Sequence, residues 1–341
     1  MKSGLRLAIA ALLAFAALPA SADDKPAPVD PYEKGTFTLE IENDYFGFSG
    51  ADRHYTTGTR LSWLSAPLNP QDAPDWSRYP YEMWPAFELS GVRRLGFAVG
   101  QNIYTPTDVD LADPDPTDRP YAAWTYIAAS LNTQTENRLD TIELDLGIVG
   151  PNAKGREVQN GFHHLIGNPR SRGWDHQLHD EPGVMLIGER RWRLFEPTSI
   201  APGINTDVIG LGGASLGNVQ TYGNLGAIFR IGGELKSDFG PPHIRPSLPG
   251  SQSFTPTSGF NWYLFAGAEG RAVARDIFLD GNTFRDSPSV DKKPLVADFE
   301  IGIVATLGSM RASFTQIYRT KEFYGQKGDD RFGSFSLSWR F

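Results

Sequence analysis

Apolar and polar side chains alternate along many short segments of this chain. Between residues 36 and 44, three apolar side chains at every second position are separated by Thr and Glu. The same period of two recurs at 141–149 and again at the C-terminus, over 334–341. A two-residue period is typical of β-strands that have one apolar and one polar face.

Twelve segments show this alternation, and they predict an all-β protein. The predicted strands are 36–44, 56–65, 93–104, 121–132, 139–149, 184–195, 203–213, 219–232, 260–275, 294–307, 310–320 and 331–341. An even strand count with acidic residues opposite Leu and Ile favours a twelve-stranded antiparallel transmembrane β-barrel with a wet interior. A soluble β-sandwich would also alternate, but its polar face would lie outside and its strands would rarely be this long. The stretch 157–166 has helical character, which predicts a short helix in an extracellular loop.

The N-terminus has the pattern of an export signal. Lys2 and Arg6 precede an apolar run over 7–17, and Ala20-Ser21-Ala22 forms a small-residue cleavage site. We therefore expect a signal peptide at 1–22 and a barrel at 23–341. The apolar run is too short to span a bilayer, which needs about 20 residues. An exported barrel of this kind predicts the outer membrane of a Gram-negative bacterium.

Composition excludes several classes of function. The chain has no cysteine, which rules out disulfide and thiol chemistry. Its net charge is −8 and no cluster of Lys and Arg occurs, which argues against nucleic acid as a partner. No Gly-x-Ser-x-Gly sequence is present, so a serine nucleophile of the α/β-hydrolase type is not expected.

Strand parity gathers several polar groups at one rim of the predicted barrel. With a periplasmic N-terminus, the extracellular connections lie near 45–55, 105–120, 150–183, 214–218, 276–293 and 321–330. Asn43 and Asp44 end the first strand, Thr56 begins the second, and Gln159 and His163 lie four residues apart on one helix face. Sequence-distant polar groups that converge in this way are what a catalytic site needs. Each residue alone also has an ordinary explanation, such as a turn, a plain β-sequence or a solvated loop histidine.

Two features of the connections stay open. Asp118-Arg119 directly precedes the fourth strand at the same rim, and His164 neighbours His163. The periplasmic connections at 66–92 and 233–259 are long, and their pattern predicts no role for them.

Four motifs resemble the successive signatures of the lipid A deacylase LpxR family. They are Glu42-Asn43-Asp44, then Asp52-Arg53-His54-Tyr55-Thr56-Thr57-Gly58, then Asp118-Arg119-Pro120-Tyr121-Ala122-Ala123-Trp124, and Gly150-Pro151-Asn152-Ala153-Lys154-Gly155-Arg156-Glu157-Val158-Gln159-Asn160-Gly161-Phe162-His163. Trp174, Gln177 and Glu181 continue the pattern, so the resemblance covers essentially the whole mature chain.

The resemblance implies a twelve-stranded outer-membrane enzyme that removes the 3′-acyloxyacyl group of lipid A and depends on calcium. It assigns catalytic roles to five residues: Asn43, Asp44, Thr56, Gln159 and His163. Arg119 is the candidate for binding substrate. Asp44 and Asn43 are the candidate Ca²⁺ ligands, since calcium prefers oxygen. One departure is the loop 107–115, which is acidic where a family member carries a Lys-Arg pair.

The resulting hypothesis is a monomeric esterase that acts on lipopolysaccharide in the outer leaflet. His163 would deprotonate the attacking water, because an unperturbed imidazole titrates close to neutral pH. Two alternatives remain open at this stage. One is an outer-membrane phospholipase, which differs only in substrate, and the other is a non-enzymatic barrel such as a porin or an adhesin.

Overall fold

Thirteen β-strands account for most of the described chain. The computed structural model describes residues 25–27, 29, 32–47, 54–68, 91–246 and 251–341. The strands are β1 Gly35–Asn43, β2 His54–Ser65, β3 Val92–Thr105, β4 Ala122–Gln134, β5 Arg138–Val149, β6 Glu181–Arg193, β7 Thr198–Ala201, β8 Ile204–Gly217, β9 Gln220–Gly232, β10 Phe260–Asp276, β11 Leu295–Leu307, β12 Met310–Arg319 and β13 Asp330–Arg340. Two α-helices are described, α1 at Gly155–Ile166 and α2 at Ile277–Asp280.

Twelve of these strands form a closed antiparallel barrel, as the alternation predicts. Each pairs with its neighbour in sequence, β1 pairs with β13, and β6 pairs with β8 to complete the ring. The strand β7 pairs with β8 alone and stands outside the ring. The sequence did not predict β7, because its four residues are all exposed and carry no two-residue pattern. The predicted signal peptide and most of the 66–92 connection lie outside the described residues.

The two faces of the barrel wall differ in polarity. On the inner face, Glu40 pairs in register with Arg60, and both side chains are buried. On the outer face, large apolar side chains are exposed: Leu61, Phe97, Val99, Ile127, Leu144, Leu225, Phe229, Phe299 and Ile301. An apolar outer band around a polar interior is the arrangement of transmembrane barrels. Among the described residues, no helix has the length and apolar character needed to cross a bilayer.

The long connection between β9 and β10 fills the barrel interior. Its Asp238 accepts hydrogen bonds from Arg230 on β9 (Nη1 to Oδ1, 2.6 Å) and from Arg311 on β12 (Nη1 to Oδ2, 3.0 Å). Further along, the backbone N–H of Ile244 donates to Glu42 Oε1 on β1 (3.1 Å), and Arg245 donates to Glu143 on β5 (2.7 Å). The described part of this connection therefore reaches from one end of the barrel almost to the other. We call it the lumen segment (residues 233–246 and 251–259).

The connections β1–β2, β3–β4, β5–β6, β8–β9, β10–β11 and β12–β13 all lie at one end of the barrel, called here the upper end. They interlock through polar contacts. Glu181 accepts hydrogen bonds from Asn218 (2.9 Å), Asn282 (3.1 Å) and the backbone of Thr283 (2.8 Å), so three connections are joined at one carboxylate. These contacts hold the loops that carry the candidate site.

Candidate active site

The candidate site is a cleft on the outer face of the barrel wall, near the upper end. It lies between α1 and the strands β1–β3, and its volume is about 340 Å³. On β2, Thr59 lines the cleft two residues before the exposed Leu61, and on β3, Ile103 lines it four residues after the exposed Val99. Because side chains separated by an even number of strand residues share a face, the cleft opens on the apolar outer surface and not into the lumen.

The helix α1 forms one wall of this cleft. Its buried side chains, Gln159 and His163, lie one turn apart and face the barrel, whereas His164 is exposed. Gly167 ends the helix in the left-handed conformation (φ 77°), where its backbone N–H donates to the carbonyl of His163. The sequence spacing predicts this phase of the helix correctly.

The N-terminal end of α1 is fixed tightly to the strands beneath it. Gln101 on β3 and Thr125 on β4 both donate to the carbonyl oxygen of Ala153 (2.6 and 2.8 Å). A Cβ added to Gly155 would lie 2.5 Å from the Cβ of Ala123, a distance that real Cβ atoms do not show. Glycine at position 155 therefore permits the close approach of the helix to the wall.

The end of β1 presents an amide and a carboxylate to the cleft. Asn43 Nδ2 donates to the hydroxyl of Thr57 (2.8 Å), and Asn43 Oδ1 accepts the backbone N–H of Tyr45 (2.8 Å). These two bonds fix the orientation of the amide. Asp44 is the first residue of a 3-10 helix, Asp44–Gly47, and its buried carboxylate also lines the cleft.

A β-bulge at the start of β2 places Thr56. The register with β3 shifts between Tyr55 and Thr57, which leaves Thr56 as the extra residue. Bulges of this kind commonly redirect a side chain next to a functional site. Here Thr56 and Thr105 share a hydrogen bond between their hydroxyls (2.8 Å), and Thr56 lines the cleft.

The imidazole of His163 is oriented by a main-chain carbonyl. Its Nδ1 lies 2.6 Å from the carbonyl oxygen of Pro169. A carbonyl only accepts, so Nδ1 carries the proton, and the neutral ring has its lone pair on Nε2. A general base needs a lone pair on the nitrogen that takes the proton, and in this tautomer that nitrogen is Nε2.

The rest of the cleft lining is mainly apolar. Besides the polar groups described above, the cleft is lined by Asn168 and by Ile41, Tyr45, Phe46, Ile103, Val158, Phe162 and Ile166. Tyr45 and Phe46 on one side, and Val158 and Phe162 on the other, are partly exposed. A small polar cluster with apolar side chains on both sides suits a ligand with a polar ester and a long alkyl chain.

Comparison with known proteins identifies the family. The family model described as outer membrane protein LpxR matches residues 7–341. The chain belongs to the LpxR family. This places it among outer-membrane β-barrel proteins and agrees with the lipid A deacylase resemblance of its motifs. Among curated proteins, no significant match to the chain is found.

A solved structure shows the same fold. LpxR from Salmonella typhimurium matches with a TM-score of 0.71 and 22% identity, over 90% of this chain and 100% of that chain. The β domain of the Bordetella autotransporter BrkA gives a TM-score of 0.42 and 8% identity, over 90% of this chain and 97% of that chain. The first comparison supports the twelve-stranded barrel, and the second is too distant to add to it.

Arg119, the predicted substrate-binding residue, lies apart from the cleft. Its guanidinium is buried, donates to Glu322 (2.8 Å) and lies over the ring of Tyr104, with 5.2 Å between Cζ and the ring centroid. It is not among the residues that line the cleft. Sequence order brings Arg119 to the correct end of the barrel, but its side chain is used to join two connections.

The described residues supply only part of a calcium site. Asp44 offers a carboxylate, while Asn43 Oδ1 already accepts the N–H of Tyr45. Within the described residues, no group of three or more His, Cys, Asp or Glu side chains is arranged to hold a metal ion. Calcium takes six to eight oxygens, so any ion held by Asp44 would need further ligands from backbone carbonyls, water or substrate.

The structure adds residues that the sequence did not single out for a role. Trp174 donates its indole N–H to Gln159 Oε1 (2.9 Å), and Thr105 is the partner of Thr56. His54 has a left-handed backbone (φ 63°), with Nδ1 2.6 Å from Asp330 and Nε2 3.4 Å from Asp118. These contacts span about 15 to 280 residues of sequence, so no local pattern could have indicated them.

Proposed function

We propose that this protein is an outer-membrane esterase that removes the 3′-acyloxyacyl chain of lipid A. The observation that carries the proposal is the position of the cleft on the outside of the barrel wall. The scissile ester of an outer-leaflet lipid lies near the membrane interface, and a lipid can reach this cleft sideways without leaving the bilayer. The motifs shared with the lipid A deacylases support the choice of substrate.

In the proposed reaction, a water molecule attacks the ester carbonyl while His163 Nε2 takes its proton. The tetrahedral intermediate then collapses, the bond to the 3′ oxygen of the sugar breaks, and the proton on His163 passes to that oxygen. The products are a 3′-acyloxyacyl fatty acid and a free 3′-hydroxyl. The Pro169 carbonyl accepts from Nδ1 of His163, so Nε2 is the nitrogen that takes up and releases the proton.

The remaining cleft residues are proposed to orient the substrate and the attacking water and to stabilise the developing negative charge. Gln159 and Thr56 are proposed to donate hydrogen bonds to the substrate or the attacking water. Asp44 is proposed to hold a calcium ion with the help of water and substrate oxygens, with Asn43 beside it. When bound, calcium would supply Lewis-acid stabilisation of the negative charge that develops on the ester oxygen.

The filled lumen speaks against the porin alternative, because the lumen segment occupies the path that solutes would take. The phospholipase alternative uses the same cleft and is decided by the substrate. A direct comparison of lipid A with a glycerophospholipid in one detergent assay separates the two. If fatty acid is released from the phospholipid and not from lipid A, the enzyme is a phospholipase and not a lipid A deacylase.

Two neighbouring histidines provide the matched test of the site. The His163→Ala variant should lose about 10²–10⁴-fold in the rate of acyloxyacyl release from lipid A, the usual contribution of a general base. The His164→Ala variant should stay within a few-fold of wild type, because that side chain is exposed on another face of α1. Gel mobility before and after heating reports whether each barrel is folded. An active His163→Ala protein beside an inactive His164→Ala protein would show that the proposed base is wrong.

A further inference from the structure

His54, the first residue of β2, has a left-handed backbone. Its φ is 63°, in a region that residues with a Cβ rarely adopt. Among the described residues, Lys154 is the one other non-glycine residue with a positive φ, and it directly precedes α1. Both residues therefore stand at the start of an element that lines the cleft. Such a conformation persists where the surrounding contacts enforce it.

The contacts of the His54 side chain come from two other connections at the upper end. His54 is fully buried, and its Nδ1 lies 2.6 Å from Asp330 Oδ1 at the start of β13. Its Nε2 lies 3.1 Å from Thr107 Oγ1 and 3.4 Å from Asp118 Oδ1, both in the β3–β4 connection. The ring of Phe323, in the β12–β13 connection, packs against it at 84°, with 5.5 Å between the ring centroids. The imidazole is thus held at both nitrogens and by a ring contact.

Asp330 is a firm anchor for this ring. Gln326 Nε2 donates to Asp330 Oδ2 (3.0 Å), while Oδ1 faces His54. Asp330 also pairs in register with Arg319 on β12, so the barrel wall fixes its backbone. An ionised carboxylate only accepts hydrogen bonds, so His54 Nδ1 carries a proton and donates it. The first residue of β2 is therefore tied to the wall two strands away.

The bulge that follows His54 decides which way Thr56 faces. Side chains of successive residues in a regular strand lie on opposite faces. Thr56 and Thr57 nevertheless both line the cleft, because Thr56 is the extra residue of the bulge. Tyr55, which precedes it, points into the lumen, where its hydroxyl donates to Glu42 (2.8 Å). Loss of the bulge would turn Thr56 away from the cleft.

We infer that His54 is a positioning residue, whose anchored ring holds the start of β2 in the bulged register and so keeps the Thr56 hydroxyl at the cleft. His54 pairs in register with Thr105, the residue whose hydroxyl shares a hydrogen bond with that of Thr56 (2.8 Å). The inference rests on the proposed function, in which Thr56 donates to the substrate or the attacking water. His54 itself does not line the cleft, so it acts through Thr56.

The position of Thr56 can be measured without activity. The chain has no cysteine, so a protein with Thr56→Cys and Thr105→Cys has one possible internal disulfide, in place of the hydroxyl pair. The glutathione concentrations at which half of it is oxidised give the effective concentration of the two thiols. Adding His54→Gly should lower this value about tenfold, since a buried hydrogen bond to a charged group is lost. Glycine adopts the left-handed backbone without strain, so the effect belongs to the ring.

Two further variants control this measurement. His176→Gly is the matched control, because His176 also pairs with a carboxylate, Asp113 (3.0 Å), in an exposed pair that involves neither β2 nor β3. It should leave the effective concentration unchanged. Asp330→Ala removes the anchor, keeps His54, and should act like His54→Gly. Gel mobility before and after heating shows which barrels are folded, and an effective concentration that stays at the wild-type value in either folded variant would overturn the inference.

A double-variant cycle tests the route through Thr56. Thr56→Val removes the hydroxyl, keeps the shape, and should lower kcat for lipid A about tenfold, the effect of one lost hydrogen bond. His54→Gly should lower kcat by a similar factor. Adding His54→Gly to Thr56→Val should cost less than about twofold more, because the hydroxyl that His54 positions is already gone. A full additional tenfold loss would show that His54 acts by another route and would overturn the inference.

The two measurements separate this inference from the proposed function. A wild-type protein that leaves lipid A intact, while His54→Gly still lowers the effective concentration, would refute the proposed substrate and keep the positioning of Thr56 by His54. Hydrolysis of lipid A at the wild-type rate by folded Thr56→Val would remove Thr56 from the reaction, and the role of His54 in that reaction would be overturned with it.

Discussion

At the scale of single residues, the cleft side chains are held by neighbours that satisfy one end of each polar group. Thr57 and the backbone of Tyr45 hold Asn43, and the hydroxyl of Thr105 holds Thr56. Side chains fixed in advance lose little freedom when substrate binds, which is what a preorganised site requires. Among the described residues that line the cleft, Asp44 is the only one with a carboxylate.

Asp44 gives a prediction about metal dependence. If it holds calcium, a chelator should abolish lipid A hydrolysis, and added calcium should restore it. Asp44→Ala should lose activity that calcium cannot restore, because the carboxylate proposed to hold the ion is gone. Asp113→Ala, at an exposed carboxylate paired with His176, serves as the control and should keep the wild-type response. Full activity of the wild-type enzyme in chelator would remove calcium from the mechanism.

Asp118 gives a prediction about pH. Burial alone would raise its pKa, but hydrogen bonds from His54, from Thr107 and from the backbone of Arg119 outweigh it and hold the pKa below its usual range. A lowered pKa in the folded state means that the ionised carboxylate stabilises the fold above the unfolded pKa of about 3.9, and that this stabilisation disappears as the pH falls through the folded pKa.

Asp118→Asn should therefore unfold about 2–4 °C below wild type at pH 5 to 7, if the charge contributes about 1 kcal/mol. The difference should shrink below pH 4. The temperature at which the folded gel band disappears measures this at each pH. A difference that grows as the pH falls below 4 would show that the ionised Asp118 is not stabilising.

At the residue scale, the sequence predicts which groups converge but not what holds them. The order of Asn43, Asp44, Gln159 and His163 along alternating strands is enough to bring them to one end. Trp174 and Thr105 act through contacts that only the folded chain creates. Arg119 shows the converse. The sequence predicts its end of the barrel correctly, but its side chain pairs with the buried carboxylate of Glu322 and does not line the cleft.

At the scale of elements, the local pattern of apolar and polar residues predicts the strands but not the lumen segment. A period of two is set by the pleat itself, so eleven residues such as those of β13 suffice to indicate a strand. The lumen segment has no such period, because its residues are placed by charges on strands far away in sequence. The bulge at Thr56 is also invisible in the pattern, since it depends on pairing between β2 and β3.

The lumen segment gives a prediction about stability. Asp238 accepts hydrogen bonds from Arg230, Arg311 and Tyr263, all buried. Asp238→Ala would leave two buried guanidinium groups short of a partner, which typically costs about 3–5 kcal/mol. We expect a marked fall in the temperature at which the folded gel band disappears. Asp113→Ala should leave this temperature unchanged, and equal behaviour of the two variants would show that the lumen segment does not stabilise the barrel.

At the scale of the whole molecule, the inside and the outside of the barrel have separate tasks. The lumen holds paired charges and a folded segment, while the outer wall carries the apolar band and the cleft. The sequence anticipated the barrel and the end at which the site lies. It did not distinguish a site on the wall from one inside the rim, because that distinction depends on how α1 packs on β3 and β4.

The filled lumen predicts an absence of steady conductance. In planar bilayers, the purified protein should conduct no more than a protein-free membrane, because the lumen segment bridges strands on several sides of the barrel. A porin of known conductance in the same bilayer confirms that the measurement works. Stable, long-lived open channels of uniform size would contradict the closed interior and revive the porin interpretation.

The most direct measurement of the central claim is the mass of lipid A from bacteria that produce this protein. Wild-type protein should generate a species that lacks the 3′-acyloxyacyl chain, while cells that produce folded His163→Ala protein should keep their lipid A unchanged. The purified enzyme should give the same product from isolated lipid A. Unaltered lipid A in both experiments, with folded protein confirmed in the outer membrane, would contradict the assignment of the cleft as a lipid A deacylase.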